Sequence, residues 1–198
     1  TIPVVAISDT EGNLINTRLI AGPVDLTWTN TIASFAAPAS TAGLISSFSS
    51  YGLSPDLTLK PDIGAPGGNI FSTLPLEQGA YASLSGTSMS SPHVAGTAAL
   101  YLEANPHTKA RDMAHLLENT AQPKAWWGNP GLGFLDNVHR QGAGMVAIDR
   151  ALLADGEVEP GKLSLGESTT GPVTRTLTIK NTGSTTTTYA LSHVAALS

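Results

Sequence analysis

The sequence predicts an α/β fold, because strand-like and helix-like patterns follow one another along the chain. Residues 1–8 form an apolar, β-branched run typical of a buried strand, and residues 24–29 alternate apolar with polar as a half-buried strand does. Residues 88–104 have the length and small apolar side chains of a helix packed on all sides. With 41% hydrophobic residues, 20 Gly and 13 Pro, the chain can build a core joined by many loops.

Further elements follow in chain order. A weak helix is predicted over residues 13–21, and short strands over 31–36 and 69–73. After the helix at 88–104, Thr108 can cap a helix over about 109–119, and a short helix fits 145–153.

The composition changes after residue 154. Residues 155–161 are rich in Gly, Glu and Pro and are interpreted as a linker. Strand-like alternation then occupies 162–165, 174–179 and 187–191, with a turn at 181–184. Three strands are too few for a sandwich.

Composition also excludes several functions. The net charge of −5 argues against nucleic acid, which needs a basic surface. No apolar run is long enough for a membrane span. The chain has no cysteine, so thiol nucleophiles, disulfides and thiolate metal sites are excluded.

The most informative stretch places a serine at the predicted start of a helix, directly after a glycine turn. Ser88 follows Gly86 and Thr87, at a point where unpaired backbone N–H groups and the positive end of the helix dipole collect. Such a position suits a developing oxyanion. A serine before a helix is more often a simple cap, and spacing alone leaves that alternative open.

This stretch, residues 86–96, resembles the serine signature of the subtilase family, and residues 48–52 and 60–67 resemble the segments that precede it in that family. The resemblance implies that Ser88 is the catalytic nucleophile and that Gly86 and Thr87 border the oxyanion hole. It implies that Met89 packs behind the serine and that His93 is structural, not the general base. Pro92 removes one helix hydrogen bond, so an irregular first turn is expected.

The resemblance also implies a domain organisation. Residues 1–30 resemble the end of a protease-associated insert, 31–154 the C-terminal part of the catalytic domain, and 155–198 a linker with the first strands of a fibronectin-III-like β-sandwich. The catalytic part is then expected to belong to a mostly parallel, three-layer domain whose serine helix is buried.

The catalytic machinery is expected to be incomplete. In the family, the Asp and His of the triad lie well before the serine in Asp-x-Gly and His-Gly-Thr-His motifs, and we expect neither motif in this chain. His107, His115, His139 and His193 are interpreted as surface or packing residues. We therefore expect a fragment, inactive alone, that needs the N-terminal half of the catalytic domain and exposes apolar helix surface without it.

Other candidate sites are weaker. Four scattered carboxylates, at Asp56, Asp62, Glu77 and Asp112, are interpreted as caps and turns, so no metal or other cofactor is predicted, although the resemblance leaves room for calcium in a longer parent. The Trp126–Trp127 pair could stack on a sugar or form a substrate wall, but an aromatic lid on the domain edge is favoured.

Together these expectations describe a secreted endopeptidase acting on proteins or peptides. Two alternatives remain: a non-catalytic adhesion, antigenic or binding module, and a degenerate protease homologue that retains Ser88 alone.

Overall fold

The computed structural model describes residues 9–25, 41–166 and 171–197. Five α-helices and four strands lie in these ranges: α1 (Asp9–Ala21), β1 (Ile70–Thr73), β2 (Tyr81–Leu84), α2 (Thr87–Ala104), α3 (Met113–Thr120), α4 (Val138–Gln141), α5 (Ile148–Leu152), β3 (Gly156–Glu159) and β4 (Thr178–Asn181). Short 3-10 turns occur at Leu76–Gln78, Ala110–Asp112 and Pro130–Leu132.

The strands form two antiparallel hairpins. In the first, β1 pairs with β2 so that Phe71 opposes Ser83 and Thr73 opposes Tyr81. The Phe71 and Tyr81 rings stack with centroids 5.9 Å apart. The Leu76–Gln78 turn closes the hairpin and ends at Gly79, whose φ of 98° favours glycine. This hairpin leads directly into the turn that carries Ser88.

The small hydrophobic core lies between α3, α5 and the loops beside them. Its most buried apolar side chains are Leu117 of α3, Ala151 of α5, Ala147 and Ile45. Helix α5 contacts both α2 and α3, so it connects the serine helix to the core.

The chain after residue 154 docks back on this core. Strand β3 pairs with β4, with Val158 opposite Ile179. Farther along, Leu197 donates a backbone hydrogen bond of 3.0 Å to Leu135, which also forms a bridge with Ala125.

Several predicted elements are confirmed. Helices were expected at 13–21, 88–104 and 109–119 and a strand at 69–73, and each is present with shifted ends. The helix expected at 145–153 is shorter, at Ile148–Leu152. The expected turn at 181–184 is present, since the Asn181 side chain accepts from the Gly183 N–H and donates to the Thr185 carbonyl.

Other predictions were wrong. Residues 156–159 form β3, not a structureless linker, and residues 162–165, 174–177 and 187–191 carry no strand. Residues 24–25 are not extended in a sheet, and the strands expected over 1–8, 26–29 and 31–36 fall outside the described residues.

Helix α2 also differs from the prediction of a buried helix, because only Thr97 is buried. Its outer side, which includes Ala95, Gly96 and the 51%-exposed Leu100, is exposed, and none of the described residues packs on Gly96. The separate expectation that this helix would expose apolar surface describes it correctly.

Parallel pairing is sparse in the part of the chain that the structure describes. It occurs as isolated bridges, between Gly64 and Met145 and between Leu135 and Ala196. The mostly parallel, three-layer arrangement and the following β-sandwich therefore stay predictions. Among the same residues, no helix combines the length and apolar character needed to cross a bilayer.

Candidate active-site serine

The turn before α2 presents Ser88 to solvent. Gly86 precedes the helix with φ 157° and ψ 165°, a conformation that L side chains rarely adopt, and no side chain caps the helix start. Thr87 and Ser88 are the first two helical residues and both are exposed. Because these residues begin the helix, no helical carbonyl precedes them to accept a hydrogen bond from their N–H groups. Those N–H groups are therefore available to an anionic group beside the Ser88 hydroxyl.

The segment around Gly67 supports this turn from behind. The Gly86 N–H donates to the Gly67 carbonyl at 2.8 Å, and the Asn69 N–H donates to Ser85 Oγ at 2.8 Å. A Cβ on Gly67 would collide with Ser90 Oγ and come within 2.7 Å of the Gly86 carbonyl oxygen. The close approach of the two segments therefore requires glycine at position 67.

Met89 and Pro92 lie within the same helix. Met89 is half-buried, and its Sδ lies 3.8 Å from the position a Gly86 Cβ would take. Helix α2 runs through Pro92 without interruption. Since proline has no N–H, the Ser88 carbonyl has no helical donor at position 92.

His93 is turned away from the role of general base. Its Nδ1 lies 2.9 Å from the Met89 carbonyl oxygen, and because a carbonyl only accepts, Nδ1 carries the proton in this hydrogen bond. No hydrogen bond between His93 and Ser88 occurs in the structure.

The other histidines also have no described contact with Ser88. His115 Nε2 hydrogen-bonds Glu157 Oε1 at 2.7 Å, a histidine–carboxylate pair that joins α3 to β3. His139 lies against the Tyr51 ring, with centroids 5.4 Å apart. His107 and His193 are exposed. In the described part of the chain, no histidine is hydrogen-bonded to Ser88.

The carboxylates serve local structure. Asp56 accepts hydrogen bonds from Ser54 Oγ at 2.6 Å and from the Thr58 N–H at 3.1 Å, and these bonds lower its pKa to about 2. Asp112 pairs with Arg111 at 3.4 Å, and Glu77 lies in the first turn of a 3-10 helix. Within the described ranges, no three such groups lie close enough together to hold a metal ion.

Asp62 corrects one expectation, because Asp62-Ile63-Gly64 does match the short Asp-x-Gly pattern that was expected to be absent. Its carboxylate is paired with Lys60 at 2.5 Å and with Lys162. Burial alone would raise the pKa of Asp62, but the hydrogen bonds from Lys162 and Lys60 hold that pKa below its usual value. A carboxylate engaged by two lysines is not free to orient a histidine.

A cavity of about 860 Å³ lies beside the serine turn. Its lining includes Thr87, Ser90 and Val94 of α2, together with Trp127 and Arg140. Ser88 itself is not part of this lining. Trp127 is half-buried and packs on the Arg140 guanidinium, 5.4 Å from its ring centroid, which agrees with a packing role.

Comparison with known proteins identifies the family. The model of the Subtilase family of peptidases matches residues 1–144. The chain belongs to the subtilase family. A curated relative, the minor extracellular protease Vpr of Bacillus subtilis, is 32% identical over 97% of this chain and 24% of its own length.

Two further subtilase relatives match shorter parts. The PIII-type proteinase of Lactococcus lactis subsp. cremoris is 35% identical over 77% of this chain and 8% of its own length. The M-protease of Shouchella clausii is 41% identical over 53% of this chain and 23% of its own length. The chain thus spans about a quarter or less of the relatives it matches. The subtilase family predicted from residues 86–96 is confirmed.

Sequence analysis of this subtilase missed a buried polar cluster, which we call the Arg140 cluster: Asp136, Asn137, Arg140 and Gln141. Arg140 Nη1 donates to Asp136 Oδ2 at 2.8 Å, with side-chain exposures of 1% and 0%, and Arg140 also donates to the Ser46 carbonyl. Gln141 accepts from the Lys124 N–H at 2.7 Å. The only sequence signal was an Asp–Arg pair at i,i+4 spacing, which usually marks an exposed helix face.

Proposed function

We propose that Ser88 is the nucleophile of a serine-type endopeptidase of the subtilisin class, which cleaves proteins or peptides through an acyl-enzyme. The observation that carries this proposal is the exposed residue Ser88 at the start of α2, where the Thr87 and Ser88 N–H groups bond no backbone carbonyl among the described residues, on a glycine turn that is hydrogen-bonded to Gly67.

The chemistry follows from that position. Ser88 Oγ attacks the scissile carbonyl carbon while a base takes its proton, and the carbonyl oxygen becomes an oxyanion. The Ser88 N–H and the positive end of α2 favour this charge. Collapse of the intermediate expels the amine, which takes the proton back from the base. Water then hydrolyses the ester.

The proposal assigns the base, its carboxylate partner and the asparagine donor of the oxyanion hole to upstream sequence. No histidine precedes Ser88 among the 198 residues. In subtilisin, loss of the catalytic histidine costs roughly a millionfold in turnover, so the 198 residues alone should not hydrolyse peptides.

The uncovered side of α2 also supports the proposal that part of the catalytic domain lies in upstream sequence. A helix that is apolar all round is normally covered on all sides, yet Ala95, Gly96 and Leu100 face solvent. In the proposed whole enzyme, the N-terminal half of a mostly parallel, three-layer domain covers them. Residues 31–154 form the C-terminal part of that domain, residues 1–30 end a protease-associated insert, and residues 155–198 begin a fibronectin-III-like sandwich.

An extracellular location is part of the proposal. It rests on the name of the Vpr relative, which describes that protein as extracellular.

Fluorophosphonate labelling tests the nucleophile, because the reagent reacts with an activated serine. Intact mass would be measured for the 198-residue chain and for a longer form of the protein that includes upstream sequence. We expect no label on the former and one label on the latter, abolished by Ser88→Ala. Ser91→Ala, a neighbouring exposed serine on α2, is the matched control and should still label.

Other outcomes are equally informative. Label on the 198-residue chain at Ser88 would mean that these residues contain a working base, and the proposed division of the triad would be wrong. Absence of label on both forms would contradict the endopeptidase proposal and favour a degenerate homologue or a binding module.

A further inference from the structure

The segment after the catalytic part is held on α3 by specific polar contacts. The Asn119 side chain donates to the Val158 carbonyl at 2.9 Å and accepts from the Val158 N–H, so it pairs with β3 as a neighbouring strand would. One turn away on α3, His115 pairs with Glu157 at 2.7 Å. These contacts fix the position of residues 156–159 relative to α3.

The same segment then reaches the stretch that leads to the serine turn. Lys162 Nζ donates to the Leu59 carbonyl at 2.9 Å and to the Asp62 carboxylate. Ser164 Oγ accepts from the Leu59 N–H at 2.8 Å. The Lys162 side chain is only 26% exposed, so part of its charge is shielded from water and its pairing is stronger than that of an exposed lysine.

Residues 59–67 connect this contact to Ser88. The backbone carbonyl of Asp62 accepts a hydrogen bond from the Ala143 N–H at 2.9 Å, and the Gly64 N–H donates to the Gly144 carbonyl at 2.8 Å. At the far end, the Gly67 carbonyl accepts from the Gly86 N–H, two residues before Ser88. Residues 62–67 are therefore hydrogen-bonded at both ends, to Ala143 and Gly144 beside Asp62 and to Gly86 at Gly67.

We propose that Lys162 is a positioning residue: it clamps the downstream segment to Leu59 and Asp62 and thereby holds residues 59–67 and the turn that carries Ser88. The importance of that turn rests on the proposed function, whereas the clamp does not. The segment after the catalytic part is, on this proposal, an internal brace of the active-site region.

Amide hydrogen exchange in the 198-residue chain tests the clamp without any need for catalysis. Lys162→Met should speed exchange several-fold at the Ala143, Gly64 and Gly86 amides, because local opening exposes their hydrogen bonds. The Leu74 amide, bonded to Ala80 within the first hairpin at 2.7 Å, should not change. Lys162→Arg should largely restore slow exchange.

Lys180→Met is the matched control. Lys180 belongs to the same downstream segment but is 67% exposed and pairs with Glu157 at 3.3 Å, away from residues 59–62. It should leave the Ala143, Gly64 and Gly86 amides unchanged. Unchanged exchange in Lys162→Met, or equal acceleration in Lys180→Met, would overturn the proposal.

A milder variant decides the case in which Lys162→Met unfolds the whole chain and all amides exchange together. Lys162→Gln removes the charge of Lys162 but keeps a side-chain N–H donor, so it weakens the contacts with Leu59 and Asp62 without adding an apolar group. Faster exchange at Ala143 and Gly64 in this variant supports the clamp, and unchanged exchange contradicts it. Because the readout does not involve Ser88 chemistry, a failed labelling experiment would leave this result intact.

Discussion

Arg140 shows how a charged side chain can organise a core that contains few large apolar groups. Its guanidinium joins Asp136 to the Ser46 carbonyl and lies over the Tyr51 and Trp127 rings. The arrangement has a cost, since Arg140 Nε and Asn137 Oδ1 are buried without hydrogen-bond partners. We therefore expect this buried ion pair to fix the relative position of the chain segments more than it adds stability.

Arg140→Ala should destabilise the chain strongly, because Asp136 would remain buried and unpaired. Loss of one partner of a buried pair costs about 3–5 kcal/mol, which is a large fraction of the stability of an ordinary domain. Denaturant unfolding followed by circular dichroism measures the change. Arg111→Ala is the control, because the Arg111 side chain is 75% exposed and pairs with Asp112 at the surface. Similar losses in the two variants would contradict the structural role of Arg140.

At the level of elements, sequence predicted local structure well wherever a pattern repeats over several turns. The start and end of α2 were placed within one residue, because a glycine turn precedes it and Pro106 follows. Strand β3 was missed because its sequence, Gly-Glu-Val-Glu, has the composition of a loop. It is extended because β4 and the Asn119 side chain pair with it, and such long-range partners leave no local signal.

The candidate site likewise contains residues that the sequence predicted and residues that it did not. A contiguous motif was enough to place Ser88 at a helix start, whereas the structural role expected for His93 stays a prediction. Asp136 and Arg140 could not be found, because their burial depends on segments far away in the sequence. The exposure of α2 could not be predicted from the local sequence pattern either. The composition of the helix indicates that it needs to be covered, but not which segment of chain covers it.

The exposed side of α2 should cause self-association of the 198-residue chain. Between Thr87 and Leu102 the helix carries no Asp, Glu, Lys or Arg, and contact between two such surfaces would remove apolar area from water. Sedimentation velocity over a range of concentrations should show mass increasing with concentration. Leu100→Lys should reduce this association.

Leu153→Lys provides the control, because Leu153 is 81% exposed but lies after α5 and not on α2. If it reduces association as much as Leu100→Lys does, the interface is not the α2 surface. A monomer with a single cooperative melt at all concentrations would contradict the prediction altogether.

At the scale of the whole molecule, stability should depend on pH through carboxyl groups that act in opposite directions. Hydrogen bonds from His115 lower the pKa of Glu157, and the lysines lower that of Asp62. Their contribution to stability is present above the unfolded-state pKa and is lost as pH falls through the folded-state value. Glu118 acts in the other direction, because burial and then the charge of Asp62 raise its pKa, despite opposing contributions from Lys162, His115 and Lys60.

Glu118→Gln should therefore stabilise the chain at neutral pH. A raised folded-state pKa means that ionised Glu118 destabilises the fold, and this penalty is present above the folded pKa and absent below the unfolded value of about 4.5. Melting temperatures measured from pH 3.5 to 8 should show a gain at the high end that disappears at the low end. The same substitution at an exposed position, Glu103→Gln, is the control for the removal of one carboxylate from the chain. A Glu118→Gln gain that is independent of pH would indicate a packing effect instead.

The backbone contact between Leu197 and Leu135 has a consequence for biosynthesis. Leu135 already bridges Ala125, and its second partner is made about sixty residues later, which at roughly 5–20 residues per second means a delay of several seconds on the ribosome. During that interval the Leu135 carbonyl lacks its Leu197 donor. It can then accept a hydrogen bond from a strand of a neighbouring nascent chain instead. Slow translation between these two residues should therefore lower the yield of correctly folded protein.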